Sequence, residues 1–161
     1  MSGCLPSTAV RIHPSRPDRD AAGYRREVTS PRVPCAGAVV HDAAGRLLLV
    51  RRGTEPGLGR WSVPGGRCEP GETAAAAAVR EVREETGLRV RPGAVVGRVE
   101  RPGPGGVVYV IDDVACEVVG GTLAAGDDAA DARWVDAAGL AGLPLVDGLI
   151  DALTGWGVLP R

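Results

Sequence analysis

The sequence contains no phenylalanine, lysine, asparagine or glutamine, and it has few aromatic residues of any kind. With only 3 Trp and 2 Tyr among 161 residues, the core of the protein must be aliphatic. Every positive side chain apart from histidine is an arginine, and the net charge of -1 provides no basic field for binding nucleic acid. A small nucleotide needs only a local site, so this charge does not exclude one.

Cysteine is scarce, and the four cysteines lie far apart in the chain: Cys4, Cys35, Cys68 and Cys116. No pair has the C-x-x-C spacing of a zinc ribbon. The sequence also lacks an apolar signal-peptide segment and any apolar run long enough to cross a bilayer. We therefore expect a cytoplasmic protein in a reducing compartment, without a membrane partner.

The length suits one domain. Residues 1–33 are rich in Pro, Arg, Ser and Asp without a sustained periodicity, which predicts an N-terminal tail or partly disordered arm. The domain is expected to comprise residues 34–161. Its first apolar runs, 35–40 and 47–51, flank a turn signal at 42–45 and predict a β-hairpin.

A Gly- and Pro-rich loop is predicted over 53–71, followed by a helix from Thr73 to Thr86. Thr73 is a suitable N-cap, the Ala run after it favours a helix, and Gly87 is a suitable C-cap. Later segments predict strands at 88–100, 107–119 and 132–135 and a closing helix at 146–154. This order predicts the α/β class, with a mixed β-sheet covered by helices on its faces.

The second half of the first helix carries an unusual acidic face. Glu81, Glu84 and Glu85 stand at i, i+3 and i+4 and share one side of the helix. Like charges at this spacing destabilise a helix, and the C-terminal end of the helix dipole disfavours anions. A bound Mg²⁺ or Mn²⁺ ion would relieve this repulsion, because hard cations prefer oxygen ligands. The alternative is a solvated face whose acids pair with Arg80 and Arg83.

The residues upstream favour the metal. Five residues separate Gly66 from Glu72, and seven more separate Glu72 from Arg80 and Glu81. The pattern then continues with the aliphatic Val82, the pair Glu84-Glu85, and Gly87 followed by the aliphatic Leu88. This pattern over 66–88 resembles the Nudix box, with every fixed position filled. The resemblance implies a Nudix-type α/β/α sandwich and a metal-dependent hydrolase of nucleoside diphosphates joined to another group.

The resemblance implies a set of metal ligands. Glu81 and Glu85 are the main ligands it implies, with Glu84 as a third and the backbone carbonyl of Gly65 completing the set. Glu72 either binds a second ion or pairs with the neighbouring arginine of the box. These oxygens would hold Mg²⁺ or Mn²⁺ against the substrate diphosphate.

Other residues are implied to act on the substrate or the glutamates. Arg80 is expected to orient the glutamates through bidentate hydrogen bonds, and Glu84 and Glu85 are candidates for catalysis beside it. A further acid commonly follows the middle strands in the family. Here Asp127 and Asp128 are candidates with Asp128 favoured, and Asp112 and Asp113 are alternatives.

The expected substrate-binding residues are Gly66, at the start of the box, and Arg51 and Arg52, which precede it. The two arginines end a strand just before the Gly-rich loop and could contact phosphates. A solvated strand end explains them equally well. Trp61 could stack on a base, although a place in the core is the better interpretation.

The substrate is indicated weakly. Pro104 stands sixteen residues after Leu88, where Nudix proteins similar to ADP-ribose pyrophosphatases carry a proline. Gly105 stands where dinucleoside polyphosphate hydrolases carry a tyrosine, and the Gln-Pro-Trp marker of NADH-cleaving members is missing. ADP-ribose or a nucleotide sugar is therefore the favoured substrate, with a (d)NTP in a house-cleaning role as the alternative.

Two further interpretations differ in class. A Nudix-like domain can sense a nucleotide without cleaving it, and the Glu-rich helix could be purely structural and bind no metal. The complete box argues against a sensor. A homodimer is compatible with the sequence, which does not determine the oligomeric state.

Overall fold

The computed structural model describes residues 29–126 and 128–161. The expected tail lies largely outside these residues, but Arg32 and Val33 already pair with a neighbouring strand, so the boundary expected at residue 34 lies inside the first strand. The elements that the structure describes are β1 (Arg32–Val40), β2 (Leu47–Arg52), β3 (Trp61–Ser62), β4 (Gly65–Arg67), α1 (Ala74–Thr86), β5 (Leu88–Pro102), a short 3-10 turn (Pro104–Gly106), β6 (Val108–Gly121), β7 (Ala129–Val135), α2 (Ala137–Ala141) and α3 (Leu149–Trp156).

The strands form two sheets. The larger sheet has the order β4-β1-β6-β5 and is mixed, because β1 and β6 run parallel while the other pairs are antiparallel. The smaller sheet has the order β3-β2-β7 and is antiparallel. The predicted α/β class with a mixed sheet is confirmed.

The predicted hairpin of 35–40 with 47–51 is wrong. The two strands meet only at the bridge between His41 and Leu47, after which β1 pairs with β4 and β6 while β2 pairs with β3 and β7. Both strands are buried along continuous runs rather than at alternate residues. A strand buried on both faces takes the centre of a sheet, where its two edges are occupied by other strands.

Other boundaries also differ. The loop predicted over 53–71 contains the short strands β3 and β4, and α2 was not predicted. The closing helix is shorter at its start than the predicted 146–154 and extends to Trp156, while β7 begins at Ala129 instead of 132. Short strands without a periodic pattern are formed by pairing with neighbours, which local sequence does not encode.

Helices cover both faces of the β layer. One core cluster joins Ala38, Val40 and Leu48 to the buried side of α1. The other joins Val39 and Leu49 to α2 and α3. Because side chains alternate along a strand, each central strand supplies both cores. The described residues include no helix with the length and apolar content needed to cross a membrane.

The structure confirms the predicted bounds and caps of α1. The Thr73 hydroxyl accepts a hydrogen bond from the Ala76 N–H at 3.1 Å, and Gly87 ends the helix in the left-handed region with φ of 69°. The buried face of α1 carries Ala77, Ala78 and Val82. The acidic residues therefore lie on the faces turned toward β4 and solvent.

Candidate active site

Arg80 is the centre of a network of carboxylates. Its guanidinium donates two hydrogen bonds to Glu72, of 2.9 Å from Nε and 2.8 Å from Nη2. Nη1 donates to Glu81 at 2.8 Å and to Glu84 at 3.1 Å, and Nη2 also donates to the carbonyl of Arg67 at 3.0 Å. One arginine thus fixes three acids of the box together with the end of β4.

The ion pair with Arg80 changes the titration of Glu72. The hydrogen bonds from Arg80 lower the pKa of the Glu72 carboxyl to about 2, and the N–H of Glu69 contributes in the same direction. The same contacts raise the pKa of Arg80. Of the two roles left open for Glu72, pairing with Arg80 is the one that the structure shows.

Glu85 is held differently from the other acids. Its Oε2 accepts a 2.9 Å hydrogen bond from the backbone N–H of Gly65 on β4, and no arginine donates to it among the described residues. Burial raises its pKa to about 7, assisted by the charges of Glu81 and Asp128 and opposed by the Gly65 N–H and by Arg52. Glu85 is therefore a desolvated carboxyl without a full counter-charge.

Glu81 lies against the glycine pair of the box. A Cβ on Gly66 would stand 2.3 Å from the Glu81 Oε1, and a Cβ on Gly65 would stand 2.3 Å from the carbonyl oxygen of Ala36. A side chain at Gly65 would therefore push β4 away from β1, and one at Gly66 would displace the Glu81 carboxylate. Burial raises the pKa of Glu81 although Arg80 opposes it, and the charges of Glu84 and Glu72 add to the rise.

Among the described residues, the acids of the box do not form a preformed set of metal ligands. Within the described part of the chain, no group of three or more His, Cys, Asp or Glu side chains is arranged to hold an ion by itself. Glu81 and Glu84 instead turn their oxygens toward Arg80.

The structure brings Asp128 to the site. Its charge raises the pKa of Glu85, and the loop before it is anchored to the end of α1 by the bond from the Gly126 N–H to the Glu85 carbonyl at 2.9 Å. A Cβ on Gly126 would meet the Glu84 carbonyl oxygen at 1.8 Å, so only glycine permits this contact. Asp127, the other candidate in this loop, lies outside the described residues.

The two arginines of β2 have different surroundings. Arg52 lowers the pKa of Glu85 through its charge and donates from Nε to the carbonyl of Pro56 at 2.6 Å. Arg51 lies opposite Trp61 and Asp131 in the sheet. Trp61 is 3% exposed and belongs to the core, which confirms the interpretation favoured from the sequence. The structure thus brings Arg52, and not Arg51, to the glutamates.

The alternative acids on β6 lie on opposite faces of the sheet. Asp112 is bound by Arg98 through hydrogen bonds of 2.6 and 2.9 Å. Asp113 is 4% exposed, and burial raises its pKa to about 7. Neither acid joins the Arg80 network. The two side chains take different faces because adjacent residues of a strand point in opposite directions.

Two features of the site were missed from the sequence. The sequence assigned no role to Gly126, whereas in the structure it allows the Asp128 loop to rest on the end of α1. The separation of Arg52 from Arg51 was also missed. The pairing of β2 with β7 shifts register between Arg51 and Arg52, so only the fold shows which of the two lies near the glutamates.

Comparison with known proteins agrees with this geometry. The family model described as the NUDIX domain matches residues 31–151. An "ADP-ribose pyrophosphatase" of Methanocaldococcus jannaschii is 37% identical over 124 residues, covering 73% of this chain and 69% of that protein. A "Putative 8-oxo-dGTP diphosphatase" of Bacillus subtilis is 43% identical over 67 residues, covering 42% of this chain and 43% of that protein.

A solved structure supports the fold. The MutT protein from Methanosarcina mazei superposes with a TM-score of 0.71 at 24% identity, covering 81% of this chain and 96% of the other. The family match spans most of the chain and contains the complete box, the helix α1 and the loop with Asp128. The chain therefore belongs to the Nudix family and is a Nudix hydrolase.

Proposed function

We propose that the protein is a divalent-metal-dependent hydrolase that cleaves the diphosphate bond of a nucleoside diphosphate joined to another group. The favoured substrate is ADP-ribose or a nucleotide sugar. The observation that carries the proposal is the pair of desolvated carboxyls, Glu81 and Glu85, which lie one helical turn apart with raised pKa. Arg80 neutralises Glu81 in part, whereas among the described residues Glu85 receives a hydrogen bond only from the Gly65 backbone N–H.

The donor set fits a hard divalent cation, Mg²⁺ or Mn²⁺. Carboxylates that raise one another's pKa in a partly buried site gain most from a cation, and glutamate oxygens are the ligands that Mg²⁺ prefers. We assign Glu81 and Glu85 as main ligands, with Glu84 and the Gly65 carbonyl as further donors. Glu72 keeps Arg80 in place. When bound, the ion would neutralise the diphosphate and lower the pKa of a water.

The protein residues then have separate tasks. Arg80 holds the glutamates in position. Arg52 is the phosphate-binding arginine, since it is the one that lies near Glu85. The oxygen of a water bonds to phosphorus, the bridging P–O bond breaks, and Glu85 or Asp128 accepts the proton of the water. The products are a nucleoside monophosphate and the phosphorylated remainder.

The longer of the two matches described above supports ADP-ribose. The match to the M. jannaschii ADP-ribose pyrophosphatase covers 73% of this chain, whereas the match to the B. subtilis putative 8-oxo-dGTP diphosphatase covers 42%. That second match supports the alternative, a (d)NTP pyrophosphohydrolase with a house-cleaning role. The two substrates share a diphosphate and a purine, so the glutamate site serves either.

The test is turnover of a panel containing ADP-ribose, a UDP-sugar, dGTP and 8-oxo-dGTP, with and without Mg²⁺. We expect AMP and ribose phosphate from ADP-ribose only with metal, and a rate lowered roughly 10²–10⁴-fold in Glu85→Gln. Gln can still accept the Gly65 N–H, so the variant should fold. The matched control is Glu117→Gln, an exposed acid paired with Arg91, which should keep full activity.

Other outcomes would contradict the proposal. Binding of nucleotide by both wild type and Glu85→Gln, with no product from either, would indicate a sensor. Equal turnover with and without metal would exclude the role assigned to the glutamates. Cleavage of 8-oxo-dGTP with no cleavage of ADP-ribose would select the (d)NTP alternative and retain the metal site.

A further inference from the structure

Asp113 on β6 is a buried carboxyl for which the catalytic site has no use. It is 4% exposed, and none of the described residues donates a hydrogen bond to it. Its neighbour Val114 packs in the core beneath α1, so Asp113 points to the opposite face of the sheet. A buried polar group without a partner is costly and calls for an explanation.

Glycines flank Asp113 on both neighbouring strands. Its register partners are Gly37 on β1 and Gly97 on β5. A Cβ on Gly37 would stand 2.1 Å from the Asp113 Oδ1, and a Cβ on Gly97 would stand 2.0 Å from the Trp156 indole. The Asp113 carboxyl therefore lies over Gly37, and the half-buried Trp156 indole lies over Gly97.

The carboxyl oxygens keep a small access to the outside. Among residues 29–126 and 128–161, no side-chain oxygen is both fully buried and without a hydrogen bond. Asp113 has no donor among these residues, so within the described part of the chain its carboxyl oxygens keep some exposure. Burial raises its pKa to about 7, with Asp112 adding to the rise and Arg101 opposing it. Near neutral pH the group can accept hydrogen bonds and, when protonated, also donate one.

The position of Asp113 relative to the glutamates suggests what it contacts. Its partner Gly37 pairs in turn with Gly65, whose N–H holds Glu85. Two strand spacings, about 10 Å, separate Asp113 from the backbone that borders the diphosphate site. This separation is comparable with the reach of a nucleoside from its 5′ phosphate to the amino edge of its base. A carboxyl would repel the phosphates but attract the N–H groups of a base.

We propose that Asp113 determines base specificity by binding the exocyclic amino group of the substrate's purine. The inference rests on the proposed function, in which adenine or guanine is the base. Both purines carry an amino group, at C6 in adenine and at C2 in guanine. A site built to bind an N–H group rejects an analogue that lacks it, because the buried carboxyl is then left without a partner.

The test measures the coupling between the carboxyl and the amino group. Binding is measured by calorimetry with Mg²⁺ for two pairs of α,β-methylene diphosphates: adenosine against purine riboside, and guanosine against inosine. In the wild type we expect the analogue without the amino group to bind roughly tenfold or more weakly than its partner in one of the two pairs. In Asp113→Leu we expect both members of that pair to bind within about twofold of each other.

Two further variants separate recognition from structure. Asp112→Asn, on the same strand but the other face, should keep the wild-type discrimination. Asp113→Asn retains a hydrogen-bond acceptor and should keep part of the wild-type discrimination. The melting midpoint of each variant shows that the fold is retained, and leucine replaces the carboxyl with an apolar group of similar size. A structural role alone would leave the discrimination unchanged in Asp113→Leu.

The proposal is overturned if the wild type discriminates in neither pair, or if Asp113→Leu discriminates as the wild type does. These results are distinct from failure of the proposed function, which would show as absence of turnover from every diphosphate in the panel. Because the analogues are not cleaved, the binding measurement remains informative even then. The pair that responds also identifies the base, adenine or guanine.

Discussion

Arg80 donates hydrogen bonds to both oxygens of Glu72, from Nε to Oε1 at 2.9 Å and from Nη2 to Oε2 at 2.8 Å. This bidentate pair joins the middle of α1 to the loop that precedes the helix. It leaves Nη1 free to hold Glu81 and Glu84, the next two acids of the box. The geometry of the acidic face therefore depends on one planar guanidinium.

Replacing Arg80 with lysine should impair the site despite the retained charge. Lysine cannot donate in parallel to both oxygens of Glu72 while also reaching Glu81 and Glu84. We expect Mn²⁺ affinity and kcat/KM to fall roughly 10–100-fold, measured by calorimetry and by a rate assay. Arg83→Lys, an exposed arginine on the same helix, is the control. Equal effects of the two substitutions would contradict the role of Arg80.

Metal should stabilise the folded protein. A ligand that binds only the native state at about 100 times its Kd adds about 2.7 kcal/mol, which raises the Tm of a domain this size by roughly 5–10 °C. We expect this shift in calorimetric melting with Mn²⁺, and we expect a much smaller shift in a variant that combines Glu81→Gln with Glu85→Gln. An unchanged Tm of the wild type at millimolar Mn²⁺ would support a purely structural Glu-rich helix.

Gly126→Ala should displace the loop that carries Asp128. The added Cβ would meet the Glu84 carbonyl oxygen at 1.8 Å, so the loop must move away from α1. We expect a loss of about 1–3 kcal/mol in unfolding free energy and a fall in kcat of roughly tenfold to a hundredfold.

Gly155→Ala is the matched control for this change. Gly155 lies in α3, and a Cβ there would have nothing within 4 Å. Alanine should therefore leave kcat unchanged and raise stability by about 0.5–1 kcal/mol. If Gly126→Ala also kept the wild-type kcat, the loop would not need its contact with α1 for catalysis.

Asp113 should make stability depend on pH. Its pKa rises from 3.8 to about 7 on folding, so the native state binds more protons than the unfolded state between these values. The contribution to stability is therefore fully present below about pH 4 and is lost as the pH rises toward 7. At about 1.4 kcal/mol for each pKa unit, the loss is on the order of 4 kcal/mol.

Asp113→Leu should remove this pH dependence. We expect the variant to unfold at a higher urea concentration than the wild type at pH 8, and the difference to shrink by pH 4. Chemical denaturation at several pH values measures both. Parallel curves for the two proteins across this range would show that the buried carboxyl does not titrate as described.

The sequence by itself determined the family of this protein and the acidic face of its first helix. The spacing of the box placed Glu81, Glu84 and Glu85 on one helix, with caps at Thr73 and Gly87 that the structure confirms. These features depend on contacts between residues a few positions apart, which helical periodicity encodes directly. The α/β class followed in the same way from the order of apolar runs.

Only the tertiary structure decided which distant residues meet. It separated β1 from β2 into different sheets, brought Arg52 and Asp128 to Glu85, and placed Asp113 between two glycines. Each of these results depends on strand pairing and on burial across tens of residues. The free energy of such pairing depends on the packing of neighbouring strands and helices, and a local pattern of residues does not specify it.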